Sequence, residues 1–448
     1  MAILTSLAML LSDGYFVTAL GLGLFVFVLV DFVEKIGNTI PILEALLLIS
    51  CLQWILGPYI DYVTAYHHYK YYMYVPENTY MDLVVPSLFL FAIPIYYFST
   101  RIDYAFYLQR MQRIKISDRI AISLVVAGFL SDVAWRFSPA SLGFVFFVAS
   151  GIKFVGLLYL FYSNSKKKWI IFGIFFFTQL LGAVGEGVFH GLLLWMVFAM
   201  IFILVIYQFS FANKLIILSV GFTGMFVLQS IKSEFREKTW EHNYAGSKVE
   251  LLATLFFNKI ENMIQGKEER AQIKFFKNKE DEISGVNNRL NQGWIISKIM
   301  SHIPSRSPYL EGETIKEAVV SSLLPRFLVE SKVAGGGGKL TYKKLTGLHL
   351  QPGTSMGTGV LGEAYGNYGV TGTYLFMFLW GLFLAVFMKF LFSRSIVTYS
   401  LPLWMPIIFL QVIKAETDMF TVLNHLVKST VFVFVVLYVA RRWFKIRL

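Results

Sequence analysis

Leu192–Phe209 reads LLLWMVFAMIFILVIYQF, 18 residues without one Asp, Glu, Lys, Arg or His. A backbone placed in hydrocarbon has no water to satisfy its amides and carbonyls, so a run of this length and texture is stable there only as a helix that closes its own hydrogen bonds. The same texture recurs on both sides of it. Candidate spans fall at Tyr15–Val33, Ile40–Leu56, Met81–Phe98, Ile120–Ala134, Leu142–Phe161, Ile170–Ala183, Leu215–Leu228, Thr371–Phe392, Leu401–Ile413 and Val422–Ala440. With Leu192–Phe209 this makes about eleven spans, within a range of about 10 to 12. A transmembrane barrel would show short segments alternating apolar and polar, and these runs do not alternate. The expected fold class is an all-α, polytopic integral membrane protein.

Composition agrees: 56% of the 448 residues are hydrophobic and 15% charged. The first residues, MAILTSLAMLLSDG, lack a basic leader and a small-residue cleavage pattern, so the first span is expected to be retained. The single cysteine, Cys51, excludes an intrachain disulfide. The formal charge of +12 does not argue for nucleic acid, because the basic residues gather at the ends of apolar runs, where they set topology or meet anionic head groups.

Those basic clusters orient the chain. Arg110, Arg113, Lys115 and Arg119 form one, Lys166–Lys168 a second, Lys389 with Arg394 a third, and Arg441, Arg442, Lys445 and Arg447 a fourth. If each is cytoplasmic, the eleven spans alternate without conflict, and the polar stretch Ile231–Val370 is extracytoplasmic. The chain then divides into an N-terminal membrane bundle (1–230, about eight spans), a large loop (231–370) and a C-terminal bundle (371–448, about three spans). No internal repeat is visible, which weighs against transporters built from inverted repeats.

The loop carries helix signals of its own. Ser247-Lys-Val-Glu250 is a capping box, followed by Val249, Leu252, Phe256, Ile260 and Met263 at helical spacing, which predicts an amphipathic interfacial helix. Thr314-Ile-Lys-Glu317 is a second box, opening a helix that Pro325 must stop. Trp294, Ile295, Ile296, Ile299 and Met300 form an apolar patch between them, and the glycines 335–338 begin a tract that reads either as a linker or as a segment that folds back over a substrate.

No soluble-enzyme motif is present: the chain lacks GxSxG, HExxH, a P-loop and CxxC, and its histidines show no metal-ligand spacing beyond His67-His68. Three loop arginines, Arg289, Arg306 and Arg326, are candidates for gripping phosphate oxygens through the guanidinium fork, against the plain alternative of surface residues. Gly362-Glu-Ala-Tyr-Gly-Asn-Tyr-Gly-Val-Thr-Gly372 leads into the ninth span, with glycines 366, 369 and 372 forming a groove for a helix or lipid. Glu363, Tyr365 and Asn367 are expected at the outer membrane boundary, as functional groups or as an interfacial cap.

Residues 314–328, Lys332 and Glu363-x-Tyr-x-Asn-Tyr-Gly-x-x-Gly372 resemble the bacterial O-antigen polymerases (Wzy-type) and related oligosaccharide repeat-unit polymerases, although the proline usual shortly after the lysine is replaced here by a Val333 context. The resemblance implies a membrane-embedded GT-C-like glycosyltransferase of the bacterial inner membrane, working without a cofactor or metal. Its implied substrate is a polyprenyl-pyrophosphate-linked oligosaccharide, polymerised at the outer face, with membrane lipid and a chain-length regulator as partners and no nucleic acid. The implied roles are Arg289, Arg306 and Arg326 on pyrophosphate, Glu363 or His349 as base for the acceptor hydroxyl, and Tyr365 and Asn367 positioning sugar. An O-antigen ligase and a flippase for the same lipid-linked sugars are the alternatives.

Overall fold

The structure is a computed structural model describing residues 15–64, 71–114, 116–139, 142–163, 165–186, 190–231, 234–235, 237–241, 246–264, 290–323, 337–350 and 356–443. It is helical, with no strand among the described residues. The helices are α1 (Phe16–Lys35), α2 (Ile42–Val63), α3 (Glu77–Ser99), α4 (Tyr104–Gln112), α5 (Asp118–Phe137), α6 (Gly143–Tyr162), α7 (Lys168–Glu186), α8 (His190–Tyr207), α9 (Phe211–Ser230), α10 (Lys248–Ile264), α11 (Gly293–His302), α12 (Glu313–Leu323), α13 (Gly337–Thr346), α14 (Val360–Arg394), α15 (Leu401–Phe409) and α16 (Met419–Arg442). Among the described residues seven of them, α1, α2, α3, α5, α6, α14 and α16, are long and apolar enough to cross a membrane, and α7 to α9 contain shorter apolar helices. The protein is therefore a helical membrane protein.

Every one of the eleven apolar runs is helical, but the tenth is not a full-length helix. Leu401–Phe409 is nine residues long and wholly buried. Pro402 and Pro406 lie inside it, and among its last carbonyls that of Ile407 lies 2.8 Å from His425 Nε2 of α16, while that of Phe409 accepts from the Ile413 amide. Trp404 Nε1 donates to the Tyr159 hydroxyl at 2.8 Å. A short helix is tolerated at this depth because protein groups, not lipid, meet its open end.

Small residues set the closest helix contacts. Gly128 of α5 faces the Lys153 backbone, Gly156 of α6 faces Ala121 and Val125, and Gly381 of α14 faces the Phe91 carbonyl of α3. Lipid tails are as apolar as leucine, so close backbone approach and dispersion supply the association energy in such a bundle. The charges within it are paired: Lys153 with Asp132, and Lys35 with both Asp31 (3.0 Å) and Glu44 (2.9 Å), the latter also accepting from Ser99.

The two ends of the bundle differ. At one end Lys35 meets Glu44, Lys214 reaches the Glu34 carbonyl, Tyr104 packs on Phe392, Lys168 lies over Tyr207, and Arg110 donates to the Ile396 carbonyl. This end gathers the basic clusters. At the other end Gln53 donates to Glu416, the Gly359 amide to the Glu416 carbonyl, and the Tyr74 amide to Ser297. Here the loop helices α11, α12 and α13 pack against α2, α14 and α16. The apolar core runs without interruption from the bundle into these helices, through Trp54, Tyr80, Trp294, Ile296, Ile299, Leu361 and Tyr365.

Three local expectations change. Ser247 does cap α10, accepting from the Glu250 amide at 3.3 Å, but the buried face is Leu251, Leu252 and Leu255, on a helix packed against α7 and α9, while Val249 is exposed. Thr314 is not a cap: α12 opens one residue earlier, after Gly312 (φ +87°), and the Thr314 hydroxyl is taken by Asn367 Nδ2 at 2.8 Å. The glycine tract is helical from Gly337, where α13 begins.

Candidate functional site

The sequence Gly362–Gly372 proves to be the bed of the site. Gly369 adopts φ 68° and ψ −167°, dihedrals a side chain strongly disfavours, and this breaks α14 into an upper piece (360–368) and a membrane piece. Nearly all of the upper piece is buried, and the loop, not lipid or another span, fills the glycine groove: Leu345, Ile299 and Ile303 press on Gly366, and Tyr309 presses on Gly369.

Glu363 is 0% exposed. Its Oε2 accepts the Met419 amide at 2.8 Å, so it caps the first turn of α16 beside Asp418, whose Oδ1 accepts from the Thr421 amide at 2.9 Å. Both carboxylates sit where the helix leaves its amides unsatisfied and its dipole is positive. Asn367 is 2% exposed and donates to Thr314 Oγ1 and to the Glu363 carbonyl, joining α12 to α14. Tyr365 donates to the Ile303 carbonyl at 3.2 Å. These three expected site residues thus hold the site's frame together. His349 is exposed just beyond α13, and Arg289 and Arg326 lie outside the described residues.

Arg306 falls in a cluster that residue-by-residue reading missed. α11 is socketed between α2 and α14, with Asn291 Oδ1 accepting from the Trp294 amide and Gly57 lying against the Asn291 backbone. Its buried face is Trp294, Ile295, Ile296 and Ile299. Lys298 and His302 stand one turn apart on the opposite face; the helix ends at His302, and a turn brings Arg306 back, its amide donating to the His302 carbonyl at 2.8 Å. The i, i+4 spacing of Lys298 and His302 was legible, but it was obscured by the apolar patch around it.

The three basic side chains act on one another. Burial, then Lys298 and Arg306, hold the His302 imidazole below its usual range, and burial, then Arg306, lower Lys298. Among the described residues none of the three forms an ion pair. Aromatic rings border them: Lys298 Nζ lies 4.3 Å from the centre of the Tyr74 ring, Tyr72 stacks on Tyr74 at 4.2 Å, and Tyr71 packs against Trp294 at 5.0 Å. Burial and the neighbouring Tyr72 hydroxyl push the Tyr74 phenol up to about 12, so it stays neutral at physiological pH. Like charges held together without a counter-charge are unfavourable alone and favourable around an anion. A neutral imidazole among fixed cations can also accept a proton near pH 7.

No protein-family model, curated protein or solved structure matches this chain.

The depressed His302 pKa gives a pH expectation. The unfolded and solvated reference for histidine is about 6.5. Since the folded value lies lower, any reaction needing neutral His302 should keep its rate as pH falls through 6.5 and lose it only at more acidic pH. Lys298→Ala removes one cation and should move that acidic limb of kcat/KM upward, toward 6.5. A limb that stays put would show that Lys298 does not act on the titrating group.

Proposed function

We propose that this protein is a membrane glycosyltransferase that polymerises polyprenyl-pyrophosphate-linked oligosaccharide units, acting at the bundle end that carries the Ile231–Val370 loop. The observation that supports this reading is the unpaired Lys298, His302 and Arg306 face, bordered by Tyr72 and Tyr74 and set at the end of a bundle from which a lipid-borne substrate can present its head group. Taking the four basic clusters as cytoplasmic puts this end at the outer face of a bacterial inner membrane.

In the proposed reaction the acceptor hydroxyl oxygen attacks the anomeric carbon of the lipid-linked donor. The new C–O bond forms as the bond to pyrophosphate breaks, and the pyrophosphate leaves with the electron pair on its polyprenyl carrier. Lys298 and Arg306 stabilise the charge that develops on the leaving group. Neutral His302 takes the acceptor proton. Glu363, shut inside the protein as the cap on α16, and the exposed His349 are given no proton-transfer role in this scheme.

Reconstitution tests it. Purified protein in proteoliposomes supplied with polyprenyl-pyrophosphate oligosaccharide should produce lipid-linked ladders of increasing length. Transfer only onto a lipid A core would make the protein a ligase, and leaflet exchange without new glycosidic bonds would make it a flippase.

A further inference from the structure

Next to the cation cluster, Pro304, Ser305, Arg306, Ser307, Pro308, Tyr309 and Glu311 line an open hollow of about 570 Å³. That volume lies within the roughly 300–1,000 Å³ typical of small-ligand sites. Two smaller cavities, beside Glu44 and beside Lys414, each hold about 10 Å³, too little for more than a water.

We propose that this hollow is a carbohydrate subsite, which takes a sugar ring of the glycan adjoining the phosphate held by Lys298 and Arg306. It rests on the function proposed above. The lining suits a polyol better than an anion or a lipid tail. A saccharide ring offers hydroxyls that donate and accept, and a face of C–H bonds. Arg306 supplies donors only, the Glu311 carboxylate acceptors only, and Ser305 and Ser307 both; Tyr309 supplies a flat ring. Glu311 would repel a second phosphate, and Arg306, Glu311, Ser305 and Ser307 would be left unpaired against an isoprenoid.

The hollow is also built to keep its shape. Its start is held by Tyr365 donating to the Ile303 carbonyl, and by the Arg306 and Ser307 amides donating to the His302 carbonyl. Its end is held by the Leu310 and Glu311 amides, which donate to the carbonyls of Gly366 and Asn367 at 3.0 and 3.1 Å. Tyr309 is fixed edge-on against Tyr365, with centroids 6.0 Å apart, and rests on Gly369. Glu311 itself has φ +48°, a left-handed conformation uncommon for a residue with a side chain, tolerated where surrounding contacts over-determine it. Arg306 belongs both to the hollow and to the cation cluster, so the two features adjoin through one side chain.

The test uses the full-length protein in lipid nanodiscs with two separate probes: inorganic pyrophosphate by calorimetry, and a panel of methyl hexosides and N-acetylhexosaminides by saturation-transfer NMR. Wild-type protein should transfer saturation to one or more glycosides. Tyr309→Ala should weaken that binding about tenfold, the scale of one lost aromatic contact, and Tyr309→Phe should retain it. Glu311→Gln, which keeps the fold's contacts, should weaken it several-fold. Neither Tyr309→Ala nor Glu311→Gln should change pyrophosphate affinity by more than about twofold, because Lys298 and Arg306 remain. Absence of glycoside signal, or a signal indifferent to both Tyr309→Ala and Glu311→Gln, with pyrophosphate still bound, would overturn the subsite and leave the phosphate site standing. Failure of wild-type protein to bind pyrophosphate would overturn the reading on which the subsite rests.

Discussion

Arg306→Ala is expected to reduce glycosidic bond formation by about 10²–10³-fold, the usual effect of removing one preorganised charge that meets a developing anion. Arg306 is exposed and donates only its backbone amide to the fold, so its truncation should leave thermal unfolding unchanged. Lys298→Ala should act in the same direction. Arg306→Lys should fall between wild type and alanine, because a point charge remains but the two-pronged fork is lost. The measurement is the initial rate of ladder growth in proteoliposomes, normalised to folded protein. Wild-type rates from Arg306→Ala and Lys298→Ala together would remove the cation face from the reaction.

Glu363→Ala should act on stability rather than chemistry. It leaves the Met419 amide buried without an acceptor, at a cost of about 1–3 kcal/mol. Glu363→Gln keeps an acceptor oxygen at the same place and should recover most of that loss. Unfolding in detergent should therefore rank wild type, then Gln, then Ala, while the rate per folded molecule of the Gln variant stays near wild type. A Gln variant that is folded but inactive would return Glu363 to the chemistry.

These two residues show how the site was and was not legible. Arg306 is a candidate from sequence because its guanidinium fork can grip phosphate oxygens, against the plain alternative of a surface residue. Lys298 and His302 do not stand out in the sequence because they share α11 with Trp294–Met300, and only the docking of that apolar face on α2 and α14 separates them from it. Glu363, Tyr365 and Asn367 stand out in the sequence as functional groups or a cap, and in the fold each makes a structural contact. Their spacing marked a special segment, and in the fold it is special as a frame: Tyr365 and Asn367 grip the loop, and Glu363 grips α16. The glycines that promised a helix or lipid contact serve the same purpose by admitting Leu345 and Tyr309.

The membrane-helical class, the position of all eleven apolar runs and the α10 cap follow from the chain alone, because hydrocarbon solvent and local hydrogen bonding act on residues near in sequence. The short α15, the break at Gly369, the capture of Thr314 by Asn367 and the gathering of Lys298, His302 and Arg306 beside Tyr74 depend on partners tens to hundreds of residues away. Local propensity carries no information about which distant group will fill a groove or satisfy an amide. Packing decides that, and with it which side chains stay free for a ligand.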